Sequence, residues 1–461
     1  MSLYVIVLAA GQGTRMKSDL PKVLHPALGR PMVHWVLDSV AGLRPEKTLV
    51  VVGHGAEKVA AALPAETVAV SQEPQLGTGH AVDLAMAEIA DGSPEDTVLV
   101  VYGDMPLLGP DLLRRTVLAR EGKAAAMVSF QAEEPTGYGR VVRDGRGQLQ
   151  RVVEEKDANE SERQIHEVNA GVYAFSSAVL RGALSQNERD NAQKEYYLPD
   201  VIPVMIKEGG VAIVKAEADE VSGVNSQDQL SSAEGLLRKR VNLGWQQHGV
   251  WMQDPSRVYI DPSVTLAPGV RLYPGVHLEG STVVSEGAVI GPEVFAVDSE
   301  IGARSRVWYS VLRKARVGED VEVGPYASLR PGTVLAARSK AGTFVEMKNT
   351  SVGEGAKVPH LSYLGDATVG ARTNIGAGTI TCNYNGYEKL PTTIGEDVFV
   401  GSDTMFIAPV EIGDGAVTGA GSVITNDVPP GALAVERSPQ KEIPDYAQKL
   451  AARYRNRRSE D

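Results

Sequence analysis

At 461 residues the chain exceeds what one hydrophobic core organises, so two or three domains are expected. A formal net charge of −12 argues against nucleic acid as a partner, and no apolar run is long enough to span a membrane. The single cysteine, Cys382, excludes an internal disulfide and a thiolate metal site and suits a reducing, cytoplasmic setting.

Ser2 to Ala10 is apolar but lacks a basic flank and runs into a glycine loop, so it reads as a buried first strand, Leu3 to Ala10, and not as a signal peptide. Thr48 to Val52 and Thr97 to Tyr102 read as further buried strands, with covering helices at Gly79 to Ala90 and Pro110 to Arg120. That alternation predicts a mainly parallel α/β sheet over residues 1–227. Ser226 to Gln229 has capping-box spacing and opens a helical pattern with Leu230, Ala233, Leu237 and Val241 on one face. Residues 228–248 are therefore expected to form a linker helix, and 249–461 a second domain with a C-terminal tail.

From Val258 to Ile424 the aliphatic residues recur in sixes. Ile260, Leu266, Leu272, Leu278, Val284 and Ile290 form one run, and the count slips before Val317, Val323, Leu329 and Leu335. It resumes at Val352, Val358 and Leu364, then at Ile394, Val400, Phe406, Ile412, Thr418 and Ile424. Neither a helix nor a flat strand has that period, whereas a chain winding round a prism does. Glycines after the aliphatic position, as in Val317-Gly318 and Val400-Gly401, are expected to serve tight corners. The stretch Cys382 to Pro391 reads as an inserted loop on a working face, and the basic tail Arg453 to Arg458 as a solvated terminus.

Leu8-Ala9-Ala10-Gly11-Gln12-Gly13-Thr14-Arg15-Met16, with Pro21-Lys22 beyond, places a glycine loop and two cations after a strand. Such a loop turns backbone N–H groups toward phosphates. There is no Walker-A lysine motif. The string resembles the signature of the sugar-1-phosphate nucleotidyltransferases, a Rossmann-like family. That resemblance implies that Asp104, after Tyr102-Gly103 at a strand end, and Asn225 hold Mg²⁺. It implies that Arg15 and Lys22 support the departing pyrophosphate. It further implies that Leu8, Ala9, Ala10, Gly11, Gln72, Gly77 and Thr78 bind UTP, and that Gly139, Glu154 and Asn169 contact N-acetylglucosamine.

In the hexad region Arg330, Lys348, His360, Tyr363, Asn374, Asn383, Tyr384, Lys389 and Ser402 gather polar chemistry on an otherwise aliphatic repeat. Left-handed parallel β-helices of hexapeptide repeats resemble hexapeptide acyltransferases, many of which employ a histidine base. The strings Phe344 to Lys348, His360 to Asp366 and Thr379 to Tyr384 are similar to one family in particular. That family is the bifunctional N-acetylglucosamine-1-phosphate uridyltransferase/glucosamine-1-phosphate N-acetyltransferases. The likeness implies that His360 is the general base and that Arg330, Lys348, Tyr363 and Asn374 hold the sugar phosphate. It implies that Ala377, Asn383, Tyr384, Ser402, Ala420 and Arg437 contact acetyl-CoA, and that three copies share the acetyl site. Glu346 is a candidate support for His360 and Lys389 a further phosphate contact; Cys382 reads as a packed residue, not a nucleophile.

Two alternatives stand beside this reading. One is a single-activity nucleotidyltransferase with a non-catalytic β-helix that serves oligomerisation. The other is a β-helical metal enzyme, which is disfavoured because Val258 to Ile424 offers only His277 and His360 as imidazole ligands.

Overall fold

The computed structural model describes residues 2–90, 93, 95–186 and 191–457. It divides into one compact unit of residues 1–244 with Tyr259–Pro262, and a second of Trp245–Val258 with 263–461.

In the first unit the strands are β1 (Leu3–Ala9), β2 (Lys47–Val52), β3 (Thr67–Ser71), β4 (Thr97–Tyr102) and β5 (Ala125–Gln131). They are followed by β6 (Arg140–Arg143), β7 (Leu149–Val153), β8 (Glu167–Ser176) and β9 (Val211–Lys215). Their order is β9-β5-β8-β4-β1-β2-β3, with β6 on β8 and β7 on β6. The run in β1 is continuously apolar because both faces are covered: Tyr4, Ile6 and Leu8 enter one core, while Val5, Val7 and Ala9 enter the other. Helices α1 (Thr78–Met86) and α2 (Pro110–Ala119) lie close to their expected spans.

The sheet is less uniform than the apolar runs predict. β8 is antiparallel to both β4 and β5, and β6 and β7 form an antiparallel hairpin on it. Glu167, Asn169 and Gly171 break the apolar pattern of β8, and its register shifts between Asn169 and Tyr173. This bulge carries Asn169, one of the candidate sugar contacts. Helix α3 (Gln227–Gln247) follows, burying Leu230, Ala233 and Leu237 as expected. The Gln229 side chain reaches one residue beyond the expected cap and accepts from the backbone N–H of Asn225 at 2.8 Å.

The second unit is a three-sided coil consistent with a left-handed β-helix. Its faces are three all-parallel sheets, with early strands at Trp251–Met252, Thr265–Leu266 and Val276–Glu279. The hexad residues form its axis; Leu272, Leu278 and Ile290 are fully buried. Where the count slips the coil does not break. Buried Ala296, Ile301, Val307, Leu312 and Val317 continue the axis on shortened edges. The insertion is real: Leu272 stacks on Ile290, but Ile375 stacks on Val400, with the loop after Cys382 between.

The glycines that follow the aliphatic positions have a reason other than the expected one. At Gly318 and Gly401 the φ angle is ordinary, but a Cβ would lie 2.9 Å from the amide of Ala337 and 2.5 Å from that of Ala420. Close stacking of successive coils, and not corner conformation, excludes a side chain there. Left-handed corners are held by other glycines, among them Gly287 and Gly355, and about as often by non-glycine residues such as Tyr309, Tyr326, Phe344, Leu361, Asp366 and Asp403. The tail contains α4 (Tyr446–Arg457), exposed through Arg455; Arg458 lies outside the described residues.

Candidate active sites

The C-terminal ends of β1 and β4 are neighbours, with Leu8 opposite Tyr102, so the glycine loop and Asp104 emerge side by side at one sheet edge. There they open on a cavity of about 480 Å³. Its lining brings together Leu8, Ala9, Ala10, Gly11, Arg15, Lys22, Gln72, Gly77, Thr78, Tyr102, Asp104, Gly139, Glu154, Asn169 and Asn225. Gly103 is the one expected residue of this group that does not line it; its N–H is bonded to the Leu8 carbonyl at 2.9 Å, and it joins the strands from behind.

The charges in this cavity are arranged around one point. The Lys22 ammonium contacts the Asp104 carboxylate and donates to Asn225 Oδ1 at 3.0 Å. Gly13, in the left-handed region at φ 62, makes this possible, since a Cβ there would collide with the Lys22 side chain at 2.6 Å. Lys22 was expected beside a pyrophosphate; here it joins the two residues expected to hold a metal. Asp104 and Asn225 thus already direct two oxygens onto one cation, which is the donor chemistry Mg²⁺ requires.

The remaining lining is set by hydrogen bonds within the chain. Gln72 is buried and donates from Nε2 to the Gly77 carbonyl at 2.9 Å, tying both ends of its loop together. Asn169 Oδ1 accepts from Gly171 N at 3.0 Å and its amide contacts the Tyr173 hydroxyl. Gly171 must be glycine because a Cβ would meet the Tyr102 ring at 2.5 Å. Burial, together with the nearby Asp200 and Asp157, pushes the Glu154 carboxyl up to about 7. Burial, Glu154 and Asp104 likewise raise the Tyr102 hydroxyl. Sequence reasoning passed over Gln75, whose Nε2 holds the Ala10 carbonyl at 2.8 Å, and Tyr138 and Glu195, which also line the cavity. Gln75 lies inside the Gln72 to Thr78 string, which was its only signal.

On the second unit the expected residues gather along one corner and the two faces that meet there. His360, Ala377, Ser402 and Ala420 occupy equivalent places in successive coils. Gly378, Asp403 and Gly421 donate in turn to the carbonyls of His360, Ala377 and Ser402, and Arg437 Nη1 donates to that of Ala420 at 3.1 Å. The adjoining corner position changes character at His360. Beside it stands exposed Leu361 and below it exposed Phe344, Tyr326 and Tyr309, with Tyr326 and Phe344 stacked at 5.4 Å; above it stand Gly378, Asp403 and Gly421. Small residues leave room along the column above the imidazole, and bulky ones fill it below. The His360 ring is exposed, and among the described residues no side chain hydrogen-bonds to it.

On the neighbouring face Arg330, Lys348 and Gly365 align in three successive coils. Lys389 reaches the Lys348 ammonium from the inserted loop, and that contact, with Arg330 nearby, lowers the Lys348 pKa. Glu346 is engaged by Arg330 Nη1 at 2.7 Å, which redirects the support expected for His360 to the cationic cluster. At Gly365 a Cβ would lie 2.5 Å from Tyr363 Oη and 2.6 Å from Asn383 Nδ2, so both groups converge over a residue without a side chain. Asn383 in turn donates to Asp366 Oδ2 at 2.6 Å. Asn374 stands on the face carrying Lys357, Tyr384 projects from the inserted loop and is exposed, and Cys382 is half-buried at the end of a strand.

Residues 5–174 match the family described as MobA-like NTP transferase domain, and residues 391–426 match bacterial transferase hexapeptide repeats. The bifunctional protein GlmU of Desulfitobacterium hafniense is 46% identical over 96% of this chain and 97% of its own length. The chain belongs to the GlmU family. The GlmU proteins of Streptomyces avermitilis (46% identical, 95% of this chain and 92% of that one) and Brevibacillus brevis (44%, 97% and 98%) agree with that placement. The similarity to GlmU spans both units.

Proposed function

We propose that this GlmU-family transferase makes UDP-N-acetylglucosamine in two reactions, at the His360 column and then at the N-terminal cavity. It is a bifunctional transferase, with an acetyltransferase and a uridylyltransferase activity. The observation that carries the reading is the pairing, in one chain similar to GlmU end to end, of a cation-centred phosphate cavity with an exposed imidazole heading a corner of small residues.

In the first reaction the amine of glucosamine 1-phosphate attacks the thioester carbon of acetyl-CoA. The C–S bond breaks, the coenzyme leaves as its thiolate, and His360 accepts the proton released by the amine. A histidine has a reference pKa of ~6.5, which suits that task near neutral pH. Arg330, Lys348 and Lys389 form the cluster that holds the sugar phosphate, with Tyr363 and Asn374 contacting the sugar. Ala377, Asn383, Tyr384, Ser402, Ala420 and Arg437 bind the coenzyme, Arg437 matching its phosphates by charge.

In the second reaction a phosphate oxygen of N-acetylglucosamine 1-phosphate attacks the α-phosphorus of UTP, and the bond to the β-phosphate breaks to release pyrophosphate. The nucleophile is already anionic, so no protein base is required. Mg²⁺ supplies charge compensation between the two phosphates. Asp104 and Asn225 would hold it by the chemistry of their oxygens, and Lys22, which contacts both, would add positive charge beside the phosphates. Arg15 adds fixed charge to the departing group. Gln72, Gly77 and Thr78 read the base; Gly139, Glu154 and Asn169 read the sugar.

The exposed Tyr309–Tyr326–Phe344–Leu361 ladder supports a homotrimer, since a surface of that kind calls for a covering partner and leaves the acetyl site to be completed between copies. Among the described residues no helix is long and apolar enough to cross a membrane, which fits a cytoplasmic enzyme working on small molecules. Residues 1–227, 228–248 and 249–461 serve as uridylyltransferase, linker and acetyltransferase. The test is an assay with glucosamine 1-phosphate, acetyl-CoA, UTP and Mg²⁺, omitting one reagent at a time. Acetyl transfer should proceed without UTP or Mg²⁺, and nucleotide sugar should require all four. Failure to consume acetyl-CoA would overturn the two-reaction reading.

A further inference from the structure

Gly139, the sugar-facing residue, lies in a loop that should not hold its own shape. Gly137 adopts φ 88, and Gly139 has no side chain because a Cβ would lie 3.1 Å from Val152 and 3.2 Å from Glu154 Oε1. Two glycines within three residues favour a mobile segment. Yet Gly137, Tyr138 and Gly139 all line the cavity and must meet the ligand in one arrangement.

The order comes from a side chain immediately behind the loop. Arg140 begins β6 and its side chain is only 2% exposed, which makes it one of the largest fully buried groups in the protein. Its Nη2 pairs with Glu155 Oε2 at 2.6 Å, and its Nη1 contacts the carbonyl of Tyr138. The same Glu155 oxygen accepts from the N–H of Gly137 at 3.3 Å. One ion pair therefore grips the main chain on both sides of the Gly137–Tyr138 peptide. A third tie, from Asn169 N to the Gly139 carbonyl at 2.8 Å, closes the loop against the β8 bulge.

Stability alone does not explain the pair. Arg140 is buried but Glu155 keeps 29% of its side chain exposed, and taking the guanidinium out of water costs about as much as a partly exposed partner returns. What the pair supplies is geometry: the planar guanidinium offers donors in fixed directions. Arg140 Nε has no hydrogen-bond partner, so the side chain is placed for its two terminal nitrogens at the expense of the third.

We propose that Arg140 and Glu155 are the positioning pair for the sugar phosphate. They fix the Gly137–Gly139 loop so that Gly139 and the adjoining Glu154 meet the sugar in a single pose. This rests on the uridylyltransfer reading above. Among the described residues the polar partners of the pair are Gly137, Tyr138 and Arg163, and none belongs to the Gln72–Thr78 loop, so the effect is expected on the sugar side.

The test uses the full chain and steady-state uridylyl transfer, with UTP binding followed separately by calorimetry. Glu155→Ala should raise KM for N-acetylglucosamine 1-phosphate about tenfold or more, with kcat falling less and KM for UTP within about twofold of wild type. Glu155→Gln keeps an oxygen for Gly137 and Arg140 and should recover most of the loss. Arg140→Lys keeps the charge but cannot reach both partners, and should resemble Glu155→Ala. Loss of UTP binding together with sugar-phosphate binding, whether by misfolding or otherwise, would mark the pair as structural and overturn the proposal. So would an unchanged sugar-phosphate KM in Glu155→Ala. A wild-type chain that forms no nucleotide sugar would instead refute the functional reading beneath it.

Discussion

The two sites solve the problem of holding charged substrates in opposite ways. The N-terminal cavity is self-sufficient: Lys22, Asp104, Asn225 and the Gln72 loop that line it are held by bonds within one chain. The column on the coil is open. Arg330 and Lys348 stand on a flat face, and His360 and Tyr384 are exposed. A sheet curled over helices can wrap a ligand, whereas a solenoid presents edges and faces and needs a second surface to make a pocket. The first site is therefore expected to depend on internal preorganisation and the second on what covers it.

If the two are independent machines, each should fail alone. Asp104→Ala removes half of the oxygen pair facing Lys22 and should cost uridylyl transfer about 10³- to 10⁵-fold while sparing acetyl transfer. Pyrophosphate release at a near-normal rate would remove Asp104 from the centre of the cavity. His360→Ala should cost acetyl transfer about 10²- to 10⁴-fold and leave uridylyl transfer from the acetylated substrate unchanged. If both activities fell together, the two sites would not be independent.

The two regions were also unequally legible. Period-six aliphatics disclosed the coil because every coil repeats one rule, and the buried axis follows it even through the shortened edges at Ile301 and Leu312. β8 was hidden because Asn169 and Gly171 interrupt its apolar pattern for the sake of the bulge. Most cavity residues were readable only as members of a family string: nothing about Gln72 or Glu154 in isolation announces a ligand. Arg140 and Glu155 were invisible because their meaning lies in which main-chain groups they reach across β6 and β7. The glycines of the coil were found but misread, since sequence shows that a side chain is absent and not what would have struck it.

That misreading yields a prediction of intermediate size. Gly318→Ala leaves φ undisturbed but drives a methyl against the Ala337 amide at 2.9 Å and the Leu335 carbonyl at 2.9 Å. It should destabilise the coil by about 1–3 kcal/mol, read as a lower melting temperature of the second unit by circular dichroism. Gly287→Ala, where φ is 69 but the nearest atom is 3.5 Å away, should cost less. The reverse order would restore corner conformation as the reason for the repeat's glycines.

The smallest effect concerns the cost of holding a carboxyl in the cavity wall. Burial, followed by Asp200 and Asp157, raises Glu154 from 4.5 to about 7 in the folded chain. A carboxyl raised on folding contributes its full share of stability below its unfolded pKa and loses it as pH climbs through the folded value. The wild-type unit should therefore weaken between about pH 4.5 and 7, and Glu154→Gln, which does not titrate, should not. Allowing for water on the open side of the group, the difference in favour of Gln should grow to about 1–2 kcal/mol above pH 7. Amide hydrogen exchange across Leu149–Val153 at pH 5 and pH 8, corrected for intrinsic rates, would measure it. A difference that shrank with rising pH would mean that Glu154 is held by a cation in the folded state, and that the sugar end of the cavity is built on the opposite electrostatic principle.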